Sequence, residues 1–420
     1  MPLIDRQIGN GLSAYSVPAD LSITSRALFH KVYSFFTGPM FPHQLRDAVR
    51  SVGSARIWVG FLFQDEAFFH CAIAMAAAAF DPSWLTQQET AQAMVHLSRG
   101  MRIVNERLSG DDALSDLTLG VVLSMSQHES LRNRHHQGLV HLNGLLRMIE
   151  LRGGISVLAA HNPAIAQKVF RADVQLALQL GTPTRYSVNI VPGAFTIDWL
   201  RMRFQKDRNS SLGRPDISTH VSAALSEMLE GVMSLAWLVN NSPTHGITLD
   251  GYDFHDVLVL FGYRLVHMRP LGEPHTSTDW ENVLHLALVA FMSEFFFSLG
   301  LRRPEIPILS RELRAAIQVH CYDDKLSEEI LLWVLFIGKA SLFRNPGDDV
   351  WLVPKIAATA SQLNLHTWQD VSRTLYRMPW VHAFQDEPSQ ALWEQSRSYS
   401  SAHSSVFSEI QNENGFMMLS

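Results

Sequence analysis

Two uninterrupted apolar runs, Ala72 to Phe80 and Ile330 to Gly338, most tightly limit what this chain can fold into. Each is nine residues long, about half of the roughly 20 that a helix needs to cross a bilayer. They therefore predict helices buried in a protein core, with no membrane association. The second run lies within a longer helical segment, Leu326 to Phe343, with Ser327 as the expected cap, Glu328 and Glu329 in the first turn and Lys339 near the end, an order the helix dipole favours. A further segment, His285 to Leu299, is interrupted by Ser293 and Glu294, and by Ser298 at its end. These two helices, 285–299 and 326–343, are the expected central layers of an all-α fold. The architecture expected around them is stacked antiparallel helices, a bundle or a solenoid-like array.

Composition agrees. Hydrophobic residues make up 47% of the chain and charged residues 18%, below the usual quarter, so most of each helix must be covered. The formal net charge of -6 gives no footprint for holding nucleic acid through its phosphates, and direct sequence-specific DNA binding is not expected. The start, MPLIDRQIGNGLSAYS, lacks a basic end and an apolar signal core. Cys71 and Cys321 are too far apart in sequence to suggest a disulfide framework. An intracellular setting, nucleus or cytoplasm, is expected.

Helical spacing alternates with short Pro and Gly breaks from about Leu21 onward. Residues 1–20 are expected to be a flexible lead-in, 21–395 a helical domain, and 396–420 a Ser-rich tail. Within the domain, Pro183, Pro192, Gly193, Gly213, Pro215 and the run QKDRNSS predict an exposed loop at about 181–215 between two halves. Just before it, Ile165, Val169, Ala172, Leu176 and Leu180 share one face of a helix opened by Asn162-Pro163, and Val174 and Leu178 add a second apolar row. Two sides of that helix are expected to be covered.

The stretch HHQGLVHLNGLLRMIELRGGISVLAAHNPAIAQKVFRADVQLALQLGTPTRY, residues 135–186, resembles the signature region of the fungal-specific transcription factor domain, the regulatory domain of zinc-cluster transcription factors. The matching elements are Gly144 to Gly154, Leu158 to Pro163 and Arg171 to Leu178. ILLWVLFIGKAS at 330–341 and SQLNLHTWQDVSRTLYRMPWVHAFQDEPSQALWEQ at 361–395 are similar to later segments of that family, in the same order. The resemblance spans roughly residues 60–396 and implies an all-helical regulatory domain. It does not extend to DNA reading, because the family's six-cysteine zinc cluster cannot be built from two distant cysteines.

No nucleotide-binding loop, nucleophile elbow or zinc-finger pattern is present, and no cofactor or metal is expected. His128, His135, His136 and His141 cluster, yet their spacings are not those of a helical metal pair. The string DDALSD at 111–116 sits where a helix start favours Asp. Gly153-Gly154 reads as the turn that ends a helix. Arg201, Arg203, Lys206 and Arg208 read as a solvated basic cluster. Four residues are the candidate ligand-binding positions: Arg171, Asp173, Trp333 and His128. Arg171 and Asp173 point about 200° apart on a helix, so one of them must be enclosed and needs a partner. An ion pair with Glu150, Arg147 or Arg152 is the plain expectation. Orientation of a bound metabolite, with Trp333 as an apolar wall, is the functional one.

Two readings follow from the sequence. The first is a regulator of a fungal pathway that senses an apolar small molecule or binds a protein partner or second copy, without its own DNA-binding module. The second is a helical enzyme of secondary metabolism that cyclises or rearranges an apolar substrate in an internal cavity. Catalytic residues are not identifiable from the sequence.

Overall fold

The computed structural model describes residues 22–37, 45, 47–50, 55–80, 91–208, 221–272, 280–298, 305–319 and 324–417. The expected lead-in at 1–20 lies outside them. Among the described residues the protein is 82% helical, and its only strands there are two-residue segments, β1 (Val49–Arg50) and β2 (Leu249–Asp250), which pair in parallel. The all-α expectation holds. Among the described residues no helix is long and apolar enough to cross a membrane.

The chain forms two compact units, and the division falls inside one helix, between Leu176 and Ala177. The first unit holds α1 (Ile23–Thr37), α2 (Ala55–Gln64), α3 (Glu66–Phe80), α4 (Ala91–Arg107), α5 (Asp116–Leu131), α6 (His135–Leu151), α7 (Ile155–His161) and most of α8 (Pro163–Leu180). Its centre is α3, packed against α1, α2, α4 and α5. The small side chains of Ala72 to Phe80 let neighbours approach closely. At Gly100 of α4 a methyl group would lie 2.8 Å from Cys71 Sγ of α3. Asp65 anchors the start of α3 by accepting from Phe68 N at 2.6 Å and pairing with Arg107 Nη2 at 2.6 Å. Gly153 and Gly154, with φ of 101° and 94°, end α6 as a turn that only glycine adopts without strain.

The second unit holds β1 and β2, the end of α8, and α9 (Ala194–Arg208), α10 (Ala223–His245), α11 (Gly251–Met268), α12 (Trp280–Ser298), α13 (Pro307–Val319), α14 (Lys325–Ser341), α15 (Pro346–Gln362), α16 (Trp368–Leu375) and α17 (His382–Met417). Both very apolar helices are core. Val283 to Phe296 of α12 and Ile330 to Gly338 of α14 are buried without a break. The cap of α14 is Asp324, which accepts from Leu326 N and Ser327 N at 2.9 Å each, one turn ahead of the expected Ser327.

The segment expected as one long loop, 181–215, contains α9. Ile197, Leu200 and Phe204 are its buried row, a helical spacing hidden between flanking Pro and Gly residues. The basic cluster lies on this helix, and Arg201 forks to Glu227 and Glu230 at 3.0 Å each. The backbone of α17 is helical from His382 to Met417.

Gly338 lets Phe343 fold back onto α14, because an added methyl group would meet its ring at 2.5 Å. Phe343 is fully buried and has nowhere to move. Gly338→Ala is therefore expected to destabilise by about 1–3 kcal/mol from overpacking, less the roughly 1 kcal/mol of helix propensity gained. A denaturant midpoint above the wild type would contradict this packing.

Candidate functional site

The four positions singled out in the sequence are divided between the two units. His128, Arg171 and Asp173 belong to the first unit and Trp333 to the second.

Trp333 is fully buried, and its indole N–H donates to the Pro379 carbonyl at 2.9 Å. That bond holds the turn between α16 and α17. Asn240 holds the same turn from α10, its amide donating to Trp380 O at 2.7 Å while its oxygen accepts from His382 N at 3.0 Å. Asp386 completes the clamp by accepting from Trp380 Nε1 at 2.7 Å, His382 Nδ1 at 3.1 Å and Tyr376 O–H at 3.1 Å. Burial alone would push the Asp386 carboxyl up, but the His382 and Trp380 hydrogen bonds hold it below its ordinary value. The Trp and Pro-Trp segments of the sequence are thus parts of one framework, and the polar atom of Trp333 is used in it.

His128 is buried beside Glu129, whose Oε1 accepts from His128 Nδ1 at 3.2 Å while its Oε2 pairs with Arg134 Nε at 2.7 Å. Burial would raise the Glu129 carboxyl, and the His128 bond and Arg134 charge bring it below the usual carboxylate range. This group joins α5 to α6.

The residues named as partners for α8 are occupied locally. Arg147 pairs with Glu150 at 3.0 Å on the surface. Arg152 pairs with Asp116 at 2.6 Å, and Asn162 donates to the other Asp116 oxygen at 2.9 Å. The last Asp of DDALSD thereby ties α5 to the start of α8, while Asp111 and Asp112 lie in a 3₁₀ turn.

On α8 itself Gln167, Arg171, Asp173 and Gln179 are buried, and Lys168 and Gln175 are half-buried. Arg171 and Asp173 are both engaged by neighbours. Lys168 stands one turn before Arg171 on the same face. Desolvation, reinforced by the Arg171 charge, lowers its ammonium from the usual lysine range to about 7. Burial also lowers Arg171, to about 10. Sequence reading chose Arg171 and missed Lys168, although the three-residue spacing of two cations inside an apolar helix was visible.

A second buried polar centre was not legible at all. His70 of α3 and His96 of α4 meet through their Nδ1 atoms at 2.7 Å, and His96 Nε2 contacts Ser25 Oγ of α1 at 2.8 Å. His70 Nε2 lies 3.6 Å from the Glu66 carboxylate, just beyond a full hydrogen bond. One tautomer satisfies the chain. With the His70 Nε2–H toward Glu66, His96 Nδ1–H donates to His70, and the Ser25 hydroxyl donates to His96. Burial lowers both imidazoles, helped at His96 by His70 and Arg99, and His96 falls to about 4. Cys71 next door is inert, because burial and the charge of Asp65 push its thiol up to about 12.

Among the described residues no group of three or more His, Cys, Asp and Glu is placed to hold a metal ion. No family model, no curated protein and no solved structure matches the chain.

Proposed function

We propose that the protein is a transcription-factor-like regulatory protein that responds to a small molecule or a partner chain and leaves DNA contact to another protein. The enclosed polar residues of α8 carry this reading. Six polar side chains of one helix, Gln167, Lys168, Arg171, Asp173, Gln175 and Gln179, are wholly or partly removed from water. Burying them weakens a fold, so their presence on a core helix supports a recognition role. This helix is also the centre of the segment that resembles the fungal regulatory domain. The net charge of -6 and the use of the basic Arg201 in pairs with Glu227 and Glu230 fit a chain without its own DNA contacts.

DNA titration tests the reading. The purified chain should bind random and defined duplexes alike, weakly, with affinity falling steeply as salt rises. It should also hold no stoichiometric zinc. Tight, salt-resistant binding to one defined sequence would overturn the proposal.

Lys168 supports one alternative, an enzyme that cyclises or rearranges a substrate enclosed in the fold. An amine lowered to about 7 is suited to proton transfer near neutral pH. Turnover that is lost in Lys168→Met while the fold persists would favour that reading.

A further inference from the structure

Helix α9 is apolar on two opposite sides. Ile197, Leu200 and Phe204 are its buried row, and the helix packs on α10 and α11. Half a turn round, Phe195 is 83% exposed and Met202 62% exposed, with Trp199 half-buried between them. Spacings of four and three place these three side chains in one stripe. Single exposed apolar residues are ordinary on a protein surface, whereas two aromatics and a Met side by side have the composition of a contact site.

The stripe is held firmly from behind. A methyl group at Gly193, which precedes α9 with φ of 113°, would lie 3.0 Å from the Asp256 carbonyl of α11, so the helix starts hard against its neighbour. Arg201 forks to Glu227 and Glu230 of α10, Gln205 donates to Glu230 at 2.9 Å, and Asp207 accepts from Trp237 Nε1 at 2.8 Å. A face fixed in this way loses little freedom when a partner covers it.

Charge decides what fits there. Arg203 and Lys206 stand one turn after Trp199 and Met202 and are exposed. The Arg203 guanidinium lies 5.3 Å from the centre of the Trp199 ring, and among the described residues no acid pairs with either cation. Asp198 is exposed on the other flank of the stripe. A second copy docked through this face would bring two cations and one acid to meet two cations and one acid, which leaves positive charge unbalanced. A helix with apolar residues at matching spacing and Asp or Glu beside them covers the stripe and balances the cations. We propose that the face of Phe195, Trp199 and Met202 docks an acidic amphipathic helix of a partner protein, with Arg203 and Lys206 pairing to its carboxylates. The assignment rests on the partner-chain side of the reading above and names the surface and the chemistry of that partner.

A displayed library of random peptides, each as long as α9, is the probe and is selected on the full chain. Enriched peptides should carry apolar residues four and three apart with Asp or Glu beside them. A synthetic peptide of that pattern should bind saturably by fluorescence anisotropy. The double variant Phe195→Ser with Met202→Ser should weaken it by about ten- to hundredfold, the scale of losing central apolar anchors. Arg203→Glu with Lys206→Glu should lose the acidic peptide and gain the same peptide with Lys in place of its acids, an exchange that a merely adhesive surface does not give. Both variants should melt with the wild type, because the altered side chains stand in water. The proposal is overturned if no peptide is enriched, if the enriched peptides lack acids, if either variant binds them unchanged, or if the serine variant melts lower. Two further results would give the face to another occupant and overturn it as well. One is a wild-type dimer in sedimentation that the serine variant does not form. The other is flotation of the wild type, and not of the serine variant, with phosphatidylserine vesicles. The regulator reading fails separately: tight sequence-specific DNA binding by the purified chain would refute it and leave the peptide result standing.

Discussion

Trp333→Ala is expected to lower stability by about 3–5 kcal/mol, the range for truncating a large aromatic side chain in a core. Trp333 has no exposed surface, and Val334, Leu335 and Phe336 beside it are equally enclosed. Truncation would leave a cavity that the packed neighbours cannot fill. It would also remove the donor to Pro379 O and loosen the turn that Asn240 and Asp386 hold from their own sides. Trp333→Phe separates the two effects. It keeps much of the ring volume and loses the donor, so it should cost about 1–3 kcal/mol, the penalty of an unsatisfied buried carbonyl. Equilibrium denaturation, followed at two wavelengths to check for a single transition, gives both values. A loss under about 1 kcal/mol in Trp333→Ala would mean that this side chain is a replaceable wall and no part of the framework.

Acidification is expected to destabilise the protein between pH 6.5 and 4. His96 is held at about 4 in the folded chain against an ordinary 6.5, with burial as the main cause and His70 and Arg99 adding to it. The unfolded chain therefore takes up the proton first. Stability is full above about 6.5 and is lost as pH falls toward 4. At roughly 1.4 kcal/mol per unit, His96 accounts for about 3 kcal/mol across that window. His70 shifts in the same direction, with Glu66 partly opposing burial. His135, lowered to about 4 by burial and by His136, adds a smaller share because its residue is partly exposed and screened. In His96→Gln the amide keeps hydrogen-bonding capacity toward Ser25 and His70 but has no proton to take up. Its stability should depend less steeply on pH over this window, whatever its value at pH 7. An unchanged slope would show that His96 does not report the acid transition.

How much of the molecule the sequence disclosed differs from element to element. Asp323, Asp324 and Ser327 all suit the start of α14 in sequence, and hydrogen-bond geometry selects Asp324. The α9 row of Ile197, Leu200 and Phe204 was present in the sequence, but flanking Pro and Gly residues made the segment read as loop. Arg171 and Asp173 were identifiable as enclosed, since a helix covered on two sides cannot present both to water. Their neighbours were not, because Arg147, Glu150 and Arg152 could pair in several ways, and the structure pairs Arg147 with Glu150 and Arg152 with Asp116.

The sequence by itself determined the fold class and the buried helices, because apolar period and helix-end chemistry act within a few residues of one another. Tertiary structure decided which polar groups meet. Ser25, His70 and His96 lie up to 71 positions apart, and Trp333 reaches Pro379 across 46. Such contacts depend on how helices cross, which local spacing does not encode. Between those limits stands the Lys168 and Arg171 pair: its spacing was written in one turn of helix, and only burial gave it chemical meaning.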